Sequence, residues 1–187
     1  MRGLAVPFVL ASLLLPGCSS QRDLEGELVD AARHGKVQQV NSLLARGVDI
    51  NAREETEDGE TAVIAAAAEG KAIVLDLLIA RGADVNAISG QGATALTSSA
   101  SHGRADIVRS LLTAGAKPDI KDWTGWTPLL LAARSGHLYV VKLLVEAGAN
   151  PEVADPQGKL PAVWAREGGY GQVAAVLEDA AKPTRSR

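Results

Sequence analysis

The chain has 187 residues, 47% of them hydrophobic and 22% charged, a balance that excludes a disordered chain and suits one soluble globular unit. Its formal net charge of −3 argues against nucleic acid as a partner. A single cysteine excludes a disulfide framework.

The first twenty residues, MRGLAVPFVLASLLLPGCSS, hold one Arg, an apolar run from Leu4 to Leu15, and small residues after it. This order reads as a signal peptide over residues 1–17, and the apolar run is shorter than the roughly 20 residues a helix needs to cross a bilayer. Its end, Leu15-Pro16-Gly17-Cys18, resembles the lipobox of bacterial lipoproteins, with Pro16 departing from the small residue usual there. The resemblance implies a lipid on Cys18, which also accounts for a lone thiol in an exported chain. Ser19, rather than Asp, implies the outer membrane. The other reading is an ordinary signal peptide cleaved nearby, leaving a soluble periplasmic protein. Residues 18–23 are expected to form the tether.

Removing residues 1–17 leaves 18 basic and 22 acidic side chains, or −4. Residues 18–100 carry 7 basic and 13 acidic side chains, whereas residues 101–187 carry 11 and 9. Such polarity favours oriented docking with a protein.

From Leu24 onward, glycines recur at Gly35, Gly70, Gly103, Gly136 and Gly169, and again at Gly47, Gly82, Gly115 and Gly148, at a spacing of 33 with one step of 35. A third set, Gly59, Gly92, Gly125 and Gly158, keeps the spacing of 33 throughout. A period of this length predicts a solenoid. Within each unit Thr61, Thr94 or Thr127 stands where it can cap a helix, and Pro128 sits at a first helical position. Gly70 and its equivalents suit the left-handed position after that helix. The second helix of each unit repeats an apolar face: Val40, Leu43, Leu44; Leu75, Leu78, Ile79; Val108, Leu111, Leu112; Val141, Leu144, Val145.

The unit DWTGWTPLLLAARSGHLYVVKLLVEAGANPEV, Asp122 to Val153, closely resembles the ankyrin repeat. Asp58 to Ala87 and Gly92 to Ile120 resemble it well, Leu24 to Ala52 and Gly158 to Ala181 less so. The resemblance implies an all-α repeat solenoid of about five units (24–57, 58–90, 91–123, 124–156 and 157–181), each a helix-turn-helix with a β-turn finger. Degenerate end units suit an array whose ends face water. Residues 182–187 are a basic tail, expected to lack fixed structure.

Two departures stand out. Thr97-Ser98-Ser99-Ala100-Ser101 places hydroxyls where the family has Leu and Ala, implying a weak joint or a polar patch. The 35-residue step lengthens the first finger, Arg53 to Glu60, and makes it acidic through Glu54, Glu55 and Glu57.

Trp123 and Trp126 fall at variable finger positions beside the groove, whereas Trp164 stands at a core position of the last unit. Trp is enriched at interface hot spots, so the pair is expected to bind a partner, the other reading being that the rings only stiffen a neighbouring finger. Arg134, Ser101 and His102 join them as candidate partner-binding residues, with Glu54, Glu55 and Glu57 guiding approach by charge.

Catalytic chemistry finds no foothold. His34, His102 and His137 lack metal-ligand spacing, and the family implies that His137 bonds backbone. Gly168-Gly169-Tyr170-Gly171 lacks the Lys and preceding strand of a phosphate loop. No cofactor or metal is expected, and no catalytic residue. The reading is a monomeric envelope lipoprotein that binds another protein through its fingers and groove. An immunity or inhibitor protein against an envelope toxin or enzyme is the alternative, and an enzyme or metal protein using the His34 and His102 edge comes last.

Overall fold

The computed structural model describes residues 21–182. Residues 1–20, with the expected signal segment and Cys18, and the tail from residue 183 lie outside the described residues. The inner helices are α1 (Gln21–Arg33), α3 (Ala62–Ala68), α5 (Ala95–Ser101), α7 (Pro128–Arg134) and α9 (Pro161–Glu167). Their outer partners are α2 (Val37–Ala45), α4 (Ala72–Ala80), α6 (Ala105–Thr113), α8 (Leu138–Glu146) and α10 (Gly171–Ala180). Among the described residues there is no strand, only an isolated antiparallel bridge between Arg53 and Thr61. This is the all-α repeat solenoid expected.

Helix α1 takes in residues 21–23, expected to belong to the tether. Asp23 in its first turn suits a helix N-terminus, and Leu24 is already buried.

A seven-residue helix is only about 10 Å long and has no stability of its own. It persists by stacking, α1 on α3, α3 on α5, α5 on α7 and α7 on α9. The alanines of α3, nearly all buried, let neighbouring backbones approach closely. Larger side chains fill the layer between inner and outer helices: Ile64, Leu75, Leu96, Leu111, Leu129 and Leu144 are fully buried. On each outer helix the first two residues of the apolar triplet are buried, as Val108 and Leu111 are, while the third, such as Leu112, is half-buried.

The thirteen glycines of the three spaced sets are the thirteen with positive φ, between 52° and 89°. Gly103 shows a second reason for the residue type: a Cβ there would collide with the imidazole of His137 from the next unit. That imidazole reaches on to the carbonyl of Ser101, with Nε2 3.1 Å away, so His137 does bond backbone.

Thr94 and Thr127 cap their helices, accepting the N–H groups of Thr97 and Leu130 at 3.1 and 3.2 Å. Thr61 does not. Its buried hydroxyl has no hydrogen-bond partner, while its backbone pairs with Arg53 across the lengthened finger. In the third unit Ser99 is 0% exposed, but its hydroxyl donates to the carbonyl of Leu96 at 3.2 Å. Thr97 and Ser101 do the same to Thr94 and Ser98, at 2.9 and 2.8 Å. The buried hydroxyls are satisfied by their own helix, and Ser98 is only half-buried.

Candidate protein-binding face

The fingers are built on a repeated side-chain acceptor. In the third finger Asp122 Oδ1 accepts the N–H groups of Thr124 and Trp126, both at 2.9 Å, and the Asp122 N–H bonds the Trp126 carbonyl at 2.9 Å. Asp155 in the fourth finger accepts from Gln157 and Lys159, and Ser89 in the second from Gln91 and Ala93. Sequence reasoning passed over these three residues, although they stand 33 apart and each precedes its finger glycine by three.

This frame separates the two tryptophans of the third finger. Trp123 is 73% exposed and lies with one edge on the second finger, where a Cβ at Gly92 would strike its indole. Trp126 turns toward the last unit, and its ring centroid lies 5.2 Å from that of Trp164 at an interplanar angle of 49°. The aromatic pair is therefore Trp126 with Trp164. Trp123 and Trp126, expected to bind a partner together, turn to opposite neighbours from the Asp122 turn. The expected core role of Trp164 is corrected: the ring is half-buried, and its N–H is held by Asp155 Oδ2 at 2.9 Å.

Cations cover these rings. The Arg134 guanidinium carbon lies 5.1 Å from the Trp126 centroid and 5.6 Å from that of Trp164, and Lys159 Nζ lies 3.6 Å from the latter. Lys159 also pairs with Glu167. Burial pushes the Asp155 carboxyl upward, but the N–H groups of Lys159, Trp164 and Gln157 and the Lys159 ammonium outweigh it and hold the group below its ordinary value.

Ser101 and His102 close the end of α5, where His102 Nδ1 lies 2.8 Å from the Ser98 carbonyl. His34 makes the same contact with Asp30, at 2.9 Å, at the end of α1. Among the described residues no cluster of His, Cys, Asp or Glu is placed to hold a metal.

The acidic finger is more tightly bound than expected. Arg33 Nη2 donates to Glu54 at 2.9 Å and to Glu60 at 3.1 Å, leaving the Glu54 side chain 10% exposed. Burial acts to lower the Arg33 pKa, yet the hydrogen bonds and charges of Glu60 and Glu54 raise it above its ordinary value. Glu55 forms an exposed pair with Arg22 at 3.3 Å, and Glu57 is exposed. Glu54 is thus withdrawn from the steering role assigned to it, because Arg33 reaches across from α1 to claim it.

A family model of ankyrin repeats, in three copies, matches residues 28–122, and an ankyrin repeat model matches residues 124–156. The chain belongs to the ankyrin-repeat family. No curated protein matches it. As an ankyrin-repeat array it is a protein–protein interaction module, and its α9 and α10 pair extends the stack beyond the matched residues. Among the described residues no helix is long and apolar enough to cross a membrane.

Proposed function

We propose that this ankyrin array is carried to the bacterial envelope, held on the outer membrane by a lipid on Cys18, and binds a protein there through its fingers and inner-helix face. The observation that supports the binding face is the grouping of Arg134, at the end of α7, with the half-buried indoles of Trp126 on the third finger and Trp164 on α9, while Trp123 stands exposed on that same finger. Large aromatics and Arg are the side chains most often found at interface hot spots. The anchor rests on Leu15-Pro16-Gly17-Cys18 and the absence of any other cysteine. Gln21, already helical, stands three residues after Cys18, a separation of at most about 11 Å, so a lipid on Cys18 would hold the repeats close against the membrane.

Two measurements test the reading. Cys18→Ala should lose labelled palmitate and leave the membrane fraction; unchanged fractionation of an unlabelled wild type overturns the anchor. A photo-crosslinking residue at Ala68 or Ser101, on the inner-helix face, should capture an envelope protein that the same residue at Glu146 on α8 does not. Equal capture at both faces, or none at the inner face, overturns the binding surface.

A further inference from the structure

The last residues of the five inner helices form one row along the array: Arg33, Ala68, Ser101, Arg134 and Glu167. Both ends of the row are paired within the chain. Arg33 is held by Glu60 and Glu54, and Glu167 by Lys159. Arg134 differs, for no carboxylate of the described residues is within ion-pair range of it.

The periodicity shows why. Glu60, Ala93, Trp126 and Lys159 occupy one finger position, 33 residues apart. At the first unit this position gives Arg33 a carboxylate; at the fourth it gives Arg134 the cation Lys159. The same helix end therefore carries the same guanidinium in two surroundings, and the first is an internal pattern for what the second can accept. Contact with two indoles restrains the exposed Arg134 guanidinium, whose fork of N–H groups suits a planar, bidentate acceptor.

From this juxtaposition we infer that Arg134, framed by Trp126 and Trp164, is a carboxylate-recognition point, and that the segment docking on the inner-helix face is an acidic stretch of a partner protein. The inference rests on the proposed binding face and adds the chemistry of what occupies it. Local charge supports it: the locked carboxylates lie at the first finger, whereas at the fourth Lys159 and Arg134 lie over the same Trp164 indole.

The test uses fluorescence anisotropy with a labelled hexaglutamate peptide, capped at both ends, against the whole chain in detergent. The hexaglutamate should bind, hexalysine should not, and binding should weaken as salt is raised. Arg134→Gln should weaken hexaglutamate binding by at least about tenfold, and Arg134→Lys should restore only part of it. A second variant, Lys159→Glu with Glu167→Gln, recreates the surroundings of Arg33 and should abolish binding with Arg134 still present. Thermal melts accompany each variant and establish that it is folded at the temperature of the binding assay. No binding of hexaglutamate, equal binding of hexalysine, or undiminished binding by folded Arg134→Gln overturns the carboxylate point. Should that occur while a protein still cross-links at Ala68 or Ser101, the inner-face reading stands alone; loss of those cross-links removes the reading itself.

Discussion

The indole N–H of Trp164 points to Oδ2 of Asp155, 2.9 Å away, tying the last inner helix to the finger that precedes it. The other oxygen of the same carboxylate closes the finger turn, so one ionised side chain fastens two elements. Asp155 is 5% exposed and its pKa is depressed in the folded state, first against burial and then through the N–H groups of Lys159, Trp164 and Gln157. The stability this lends is complete above the ordinary aspartate value, about 3.9, and is lost as pH falls through the folded value. The melting temperature of wild type should drop over that acid range. Asp155→Asn should melt lower at neutral pH, because its amide N–H₂ would face the Trp164 N–H, and should show a shallower acid decline. Circular-dichroism melts from neutral pH downward decide it, and parallel curves would exonerate Asp155.

Trp123 and Trp126 should respond oppositely to truncation. Trp123→Ala removes an exposed ring and should change unfolding free energy by no more than about 0.5 kcal/mol. Trp126→Ala strips the partner from Trp164 and Arg134 and should cost about 1–2 kcal/mol, with a Trp126/Trp164 coupling of roughly 0.5–1.5 kcal/mol in a double-mutant cycle. Urea titrations measure both, and a large loss at Trp123 would show that its edge contact with the second finger stiffens the array.

The first finger offers a similar contrast. Glu54→Gln or Glu60→Gln leaves half-buried Arg33 with one fewer charged acceptor and should cost about 1–2 kcal/mol, largely retained in high salt. Glu55→Gln breaks only the exposed pair with Arg22 and should fall below about 0.5 kcal/mol. Equal losses for Glu54→Gln and Glu55→Gln in urea unfolding would contradict the division.

Ser99→Ala should stabilise the third unit. The hydroxyl it removes bonds only its own helix, and Ala is the better helix former by about 0.5 kcal/mol, worth roughly 1–2 °C in melting temperature for an array of this size. A lower melting point would show that the Leu96 carbonyl depends on that hydroxyl.

The array itself was legible because its signals are local and periodic: glycine spacing marked every left-handed residue described, and helical apolar spacing marked the outer-helix faces of the first four units. The site was legible only in its residue types. That Trp126 meets Trp164 depends on a finger leaning toward the following helix 38 residues on, which no local pattern encodes. Glu54 looked like part of a solvated charge run because its partner, Arg33, stands 21 residues earlier at the end of another element. Thr61 shares the capping position of Thr94 and Thr127, yet the two-residue lengthening before it alters the finger that sets its surroundings. Tertiary register decided all three cases.

His137 lying over Gly103 belongs to a series in which Lys71 covers Gly35, Arg104 covers Gly70 and Tyr170 covers Gly136. The units thus overlap like roof tiles, each laid upon the one made before it and none upon the one made after. Order of synthesis and order of covering coincide, so a unit emerging from the ribosome finds its footing already complete behind it. Among the described residues no side chain lies over Gly169. A further unit grafted there would need a Lys, Arg, His or Tyr at the position matching Tyr170 to cover that edge without altering the five beneath.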